Sequence, residues 1–194
     1  MRCSSKIRKT FETEVKVDLN LDGSGKKSIN TGIRFFDHML EQVAAHASYD
    51  INIEVVSHDK DNHHVVEDVA LTFGSAFLEA IGDKKGINRY GEKFIPMDES
   101  LALSVIDLSG RVFSKVDATF KDEKTSDFET VLLPHFFASF AQASLSTIHI
   151  KLLYGTDTHH MIEAIFKSFA RAISFATSIN DAQKDSIPST KGIL

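Results

Sequence analysis

Apolar positions along the chain switch between two periods, and the switches recur in the same order. From Lys6 to Asn20, Phe11, Val15, Val17 and Leu19 alternate with charged or polar residues, which predicts a strand with one buried face. Leu21-Asp-Gly-Ser-Gly reads as a turn and Lys27 to Thr31 as a short returning strand, so the opening segment predicts a hairpin. Ile33 to His46 then changes to helical spacing at Phe36, Met39, Leu40 and Val43. Tyr49 to Val56 alternates again, and His63 to Ile81 returns to helical period before Gly82 stops it.

The second half predicts the same series. Leu101 to Leu108 and Val112 to Phe120 read as strands joined by a turn at Asp107-Leu-Ser-Gly-Arg111. Phe128 to Leu145 has helical period, Thr147 to Tyr154 alternates, and His159 to Ile179 is helical. Both halves read strand, strand, helix, strand, helix, and an internal duplication is the economical explanation. One such half is too small to bury both faces of its elements alone. The expectation is an α+β fold in which helices bundle between two small sheets, with half-domains at 1–87 and 88–182 and a tail at 183–194.

Polar residues repeat as well. His63-His64-Val65-Val66-Glu67 returns 96 positions later as His159-His160-Met161-Ile162-Glu163, and His38 and His135 precede the two boxes by 25 and 24 positions. On a helix, residues three and four apart share a face, so each box sets imidazole beside carboxylate in a metal-ligand arrangement. A lone histidine is more often a surface or satisfied core residue, but two matched boxes are hard to obtain by chance. His38, His63, His64, Glu67, His135, His159, His160 and Glu163 suffice for two metals, each with three histidines and one glutamate. Neutral imidazole and carboxylate suit Mn²⁺, Fe²⁺, Co²⁺ or Zn²⁺. Adjacent histidines point in different directions, so one of each pair should reach a different metal or another subunit.

Composition narrows the remaining classes. A hydrophobic fraction of 42% and a charged fraction of 25% describe an ordered globular chain. A net charge of −5 gives no general reason to expect nucleic acid, and no apolar run approaches the length of a membrane span or a signal segment, so a cytoplasmic location is expected. The single cysteine, Cys3, argues against a thiolate zinc site and reads as a bystander. His149 lacks a copy in the other half and reads as structural, while Glu12, Glu14 and Asp98-Glu99 could move protons but resemble ordinary strand-surface acids. Arg89, Arg111, Lys167 and Pro188-Ser-Thr-Lys-Gly192 would suit a phosphate, although scattered basic residues are usually solvated.

Several motifs, in order from about Arg8 to the C-terminus, carry a specific resemblance. Phe36-Asp-His-Met-Leu with His46 downstream, the two boxes, Gly86-Ile-Asn-Arg-Tyr-Gly91, Pro96-Met-Asp-Glu99, Asp107-Leu-Ser-Gly-Arg111 and Pro188-Ser-Thr-Lys-Gly192 resemble the imidazoleglycerol-phosphate dehydratase family. The resemblance implies dehydration of a phosphorylated imidazole, imidazole glycerol phosphate, to imidazole acetol phosphate in histidine biosynthesis, with two Mn²⁺ per site. It also implies a 24-subunit shell with sites at subunit interfaces. Carried over residue by residue, it gives metal positions at the eight ligands above and substrate positions at Glu12, His46, Arg89, Arg111, Lys167, Ser189 and Lys191. The last five cluster around phosphate, and the tail closes the site.

Since the proton to be removed is not alpha to a carbonyl, the reaction needs an electron sink, and cations on the imidazole ring are the expected one. Glu12, His46 and Glu163 are the expected proton-transfer and positioning groups. The chain departs from the family pattern at Asn62 and Val65, where Asp and Thr are usual, and at Asp157, where Asn is usual. A changed acid at Asn62 could alter the basicity of a ligand histidine. A metal-storage shell and a two-metal phosphoester hydrolase are the rival readings.

Overall fold

The computed structural model describes residues 1–194. The long alternating stretch at the start is two strands. Strand β1 (Cys3–Lys9) and strand β2 (Thr13–Asn20) pair antiparallel around a turn at Thr10 to Glu12, where Phe11 is fully exposed at the tip. Alternation runs through that turn almost in phase, so the pattern alone did not reveal the break.

Strand β3 (Lys27–Asn30) leads into helix α1 (Arg34–Ala47), then strand β4 (Asp50–Ser57) and helix α2 (Asn62–Ile81). Contrary to the predicted hairpin, β3 does not return along β2. It crosses over and pairs parallel with β4, giving the sheet order β1-β2-β4-β3.

The second half begins with strand β5 (Tyr90–Met97), which the pattern missed because Gly91 and Pro96 interrupt it. Pro96 is tolerated because β5 is an edge strand, and Gly91 marks a close approach of another backbone. Strands β6 (Ser100–Asp107) and β7 (Phe113–Asp117) follow, then a two-stranded hairpin of β8 (Lys124–Thr125) and β9 (Phe128–Glu129). Helix α3 (Leu132–Ser144) starts four residues after Phe128, which is buried in that hairpin, and strand β10 (Thr147–Tyr154) and helix α4 (Thr158–Thr177) complete the half. Asp107 to Arg111 is not a hairpin turn, because β7 pairs parallel with β10 and the sheet order is β5-β6-β10-β7. The two sheets therefore share order and strand sense, as duplication predicts, with one strand more in each sheet than the pattern counted and the β8–β9 hairpin besides.

Helix α2 lies on β1 and β2 and α4 on β5 and β6, while α1 covers β3 and α3 covers β7. Across the middle, α2 packs on α3 and α1 on α4, so each helix pair joins one half to the other between the sheets. The buried apolar residues of both halves form a single cluster of 46, including Phe36, Phe73, Phe136, Phe140 and Phe169. Burial on this scale is shared, and neither half keeps a core of its own. No helix is long and apolar enough to cross a membrane.

Candidate active site

Both boxes open a 20-residue helix behind an aspartate cap. Asp61 accepts a hydrogen bond from the His63 amide, and Asp157 accepts from the amides of His159 and His160, which satisfies donors that a helix start leaves free. Asp157 thus has a structural reason to be there. The Asn62 side chain donates to the Asp127 carbonyl and to Glu129 Oε2, both at 3.1 Å. It ties the box to the β8–β9 hairpin, and its amide holds the Glu129 carboxyl below the usual glutamate range against the opposing effect of burial.

The duplicated ligands converge between halves. His63 and Glu67 on α2 meet His135 on α3, with the His63 and His135 rings stacked at 4.3 Å and Glu67 Oε2 3.8 Å from His135 Nε2. By the same logic His38 on α1 meets His159 and Glu163 on α4, where Glu163 Oε2 lies 3.5 Å from His38 Nε2 and 3.2 Å from His159 Nε2. Each cluster offers two imidazoles and one carboxylate within 4.8 Å of one another. The second histidine of each box is turned away, the rings of His63 and His64 standing at 88° and those of His159 and His160 at 79°. Neither cluster contains the third imidazole expected of each set.

A divalent cation fits these donors. His135 Nε2 is sealed from solvent and is the one buried side-chain nitrogen or oxygen without a hydrogen-bond partner. An aromatic nitrogen left this way is costly unless something accepts its lone pair. Imidazole plus carboxylate, with cysteine absent, is the donor set of a borderline metal.

The clusters differ in charge. Burial works to raise the Glu163 carboxyl, but Lys167, 2.7 Å from Oε1, and the neighbouring His38 hold it below the ordinary range. Glu67 has Leu71 one turn on, in place of that lysine. His46, in the last turn of α1, is kept below its ordinary range by burial and by the charges of Lys167 and Arg171.

Glu12 stands apart from Glu163 and His46. Its Oε1 is 3.6 Å from His64 Nε2, in a third group with Asp59, which holds His64 Nδ1 at 2.6 Å. The corresponding partner of His160 Nδ1 is Glu99 at 2.8 Å. Sequence reasoning noted Glu99 only as a candidate proton-transfer acid and did not find Asp59, since neither contact follows helical spacing.

The five positions expected around phosphate do not all meet. Arg89 binds Asp107 through Nε at 2.7 Å and Nη2 at 3.2 Å and donates to the Pro188 carbonyl at 2.9 Å, so the tail docks on it. Arg111 approaches the same Asp107 at 3.7 Å, and Ser189 and Lys191 follow in the exposed tail. Lys167 is elsewhere, beside Glu163. The Arg89 amide bonds to the Ala176 carbonyl near the end of α4. Thirteen helical residues separate Ala176 from Glu163, about 20 Å at the usual rise. Within one chain, the arginine pair and the cluster of His38, His159 and Glu163 thus lie toward opposite ends of a helix.

The model of the imidazoleglycerol-phosphate dehydratase family matches residues 31–173. The imidazoleglycerol-phosphate dehydratase of Prosthecochloris aestuarii is 48% identical over 194 residues, covering 100% of this chain and 96% of the relative. A crystal structure of imidazoleglycerol-phosphate dehydratase from Staphylococcus aureus aligns with a TM-score of 0.83 and 39% identity, covering 92% of this chain and 99% of the other. That of IGPD from Pyrococcus furiosus aligns at 0.85 with 33% identity, covering 97% and 100%. Similarity over the full length in both sequence and fold, together with the paired boxes, establishes that the chain belongs to the imidazoleglycerol-phosphate dehydratase family.

Proposed function

We propose that the chain converts imidazole glycerol phosphate to imidazole acetol phosphate and water, as a cytoplasmic hydro-lyase of histidine biosynthesis that uses two Mn²⁺ per site. The observation that carries this reading is the pair of His-His-Glu clusters at the two helix crossings, one of them holding the orphaned His135 nitrogen, in a chain of this family. His63, Glu67 and His135 would hold one cation and His38, His159 and Glu163 the other, with His64 and His160 completing sites on neighbouring copies. Bound there, the cations would supply Lewis acidity toward the imidazole ring and orient it.

The protein's own groups then have definite tasks. Loss of hydroxide from the carbon bearing the ring and of a proton from the next carbon gives an enol, which becomes the ketone by proton transfer. Glu12, exposed and beside His64, is suited to take or return a proton. Lys167 and the neighbouring His38 hold the Glu163 carboxyl below its ordinary range against burial, and His46, kept below its own by burial and by Lys167, can accept a hydrogen bond or position the departing hydroxyl. Arg89 and Arg111, steadied by Asp107, and the tail residues Ser189 and Lys191 would bind the phosphate.

Separation of those groups from the cluster of His38, His159 and Glu163 supports a site assembled between copies, because a small substrate cannot span about 20 Å of one helix. The outer face of the second sheet supports the same reading. It exposes Tyr90, Phe94, Val105 and Phe113 beside Lys115, Asp117 and Lys151, where the first sheet's outer face exposes two large apolar residues, Ile7 and Val56, among Ser5, Lys16, Asp18 and Glu54. Apolar patches of this kind mark protein interfaces, and closed symmetry, such as the 24-subunit shell of the resemblance, would cover them.

The test is ketone formation from imidazole glycerol phosphate by metal-stripped protein with and without added Mn²⁺. Ketone that appears only with Mn²⁺ is expected. Release of inorganic phosphate instead would favour a hydrolase, and metal uptake with neither product would favour storage.

A further inference from the structure

His64 and His160 do not belong to the intrachain clusters, yet each is held in the same manner. A tight carboxylate contact is made at Nδ1, by Asp59 at 2.6 Å and by Glu99 at 2.8 Å. A looser acid stands near Nε2, Glu12 at 3.6 Å and Asp98 at 3.9 Å. The two halves reach this arrangement by different routes. Asp59 comes from the loop between β4 and α2, and the residue 96 positions on is Gly155. Glu99 comes from the turn between β5 and β6. A contact merely inherited through duplication would use equivalent positions.

Each carboxylate is itself fixed through its other oxygen. Asp59 Oδ1 accepts from the Asp61 amide at 3.0 Å, and Glu99 Oε1 accepts from the amides of Thr156 and Asp157 at 3.0 and 2.9 Å and from the Ser100 hydroxyl at 2.9 Å. Only the remaining oxygen is left for the imidazole. A carboxylate is solely an acceptor, so the ring must carry its proton on Nδ1. In the neutral ring Nε2 is then the nitrogen with a free lone pair, and it points away from that carboxylate.

We infer that Asp59 and Glu99 are positioning residues that fix His64 and His160 as the Nδ1-protonated tautomer, presenting Nε2 to a metal outside the clusters of their own chain. This rests on the proposed metal-dependent reading for its use, but the tautomer itself does not depend on it. A ligand histidine steadied in this way loses about 10–100-fold in metal affinity when its partner is removed.

Replacement by the amide gives a sharp test. In Glu99→Gln the Oε1 acceptor is still required by the Thr156 and Asp157 amides, so the NH₂ group faces His160 Nδ1 and donates to it. The ring must then move its proton to Nε2, which can no longer ligate. Asp59→Asn should do the same to His64.

The experiment is solid-state ¹⁵N NMR of histidine-labelled, metal-free full-length protein, followed by Mn²⁺ titration read by electron paramagnetic resonance. Each amide variant should invert the tautomer of one histidine, leave the other unchanged and weaken Mn²⁺ binding about 10–100-fold. Glu99→Asp and Asp59→Glu, which keep a carboxylate, should retain the parent tautomer if folded. Unchanged tautomers in both amide variants, or inverted tautomers with Mn²⁺ affinity intact, would overturn the inference. Inversion with weakened Mn²⁺ binding, in a protein that never forms ketone, would uphold it and remove the proposed function instead.

Discussion

The two halves of the chain have one sheet order and two metal-ligand boxes, but they have diverged at nearly every place where a box meets its surroundings. In the first half, β1 meets its helix through the Ser4 hydroxyl, which donates to the Ala76 carbonyl at 2.7 Å. In the second, the same register position is Gly91, and a β-carbon there would lie 2.0 Å from the Ala172 carbonyl oxygen. Helix α4 thus seats closer on its sheet than α2 does. Lys167 neutralises Glu163 where Leu71 leaves Glu67 without a lysine, and the outer face of the second sheet exposes more large apolar residues than that of the first. The lesson is that duplication supplied the ligand frame, and divergence then separated the chemistry, the packing and the contact surface.

The largest effect is expected at the acid of the first hairpin turn. Glu12→Gln should lower kcat by about 10²–10⁴-fold, the usual worth of a positioned acid–base group, with an unchanged melting temperature because the residue is exposed. Steady-state kinetics on folded protein checks this, and undiminished turnover would remove Glu12 from the site.

Next comes the close helix contact of the second half. Gly91→Ala forces a methyl group into backbone and should cost about 3 kcal/mol. Ser4→Ala in the first half should cost only about 1 kcal/mol, a single hydrogen bond. Chemical denaturation of both variants measures the difference, and equal costs would contradict the packing asymmetry.

The smallest effect concerns Asn62. Its amide lowers the Glu129 carboxyl below the ordinary glutamate value, so the contact stabilises the fold above that range and is lost as pH falls through the depressed value. The melting temperature of Asn62→Ala should fall a few degrees short of the parent at neutral pH, and the gap should narrow as pH drops below 4.5 to what the Asp127 carbonyl contact is worth. A gap that is constant with pH would separate Asn62 from Glu129.

Helices were legible in the sequence because a helical stripe recurs over many residues and both boxes follow a capping aspartate. Strand pairing was less so. Alternation tells which face of β3 or β7 is buried, but not that each crosses over to a parallel neighbour. Among site residues, the box ligands share a helix face and could be read from spacing, whereas their convergence on His38 and His135 needed the repeat. Asp59, Asp107 and the roles of Glu99 and Asn62 were hidden because each acts through a loop contact whose partner has no fixed offset. The Arg89–Lys167 separation was hidden for a related reason, since a resemblance to an assembled enzyme does not say which copy supplies each residue.

The central claim is that each helix crossing between the halves holds one cation. The direct measurement is Mn²⁺ bound per chain by elemental analysis of the dialysed holoprotein, beside the double variants His63→Ala/His135→Ala and His38→Ala/His159→Ala. The account predicts two ions per chain for the parent and one for each variant, one cluster being removed each time. One ion in the parent, or two retained in either variant, would contradict it.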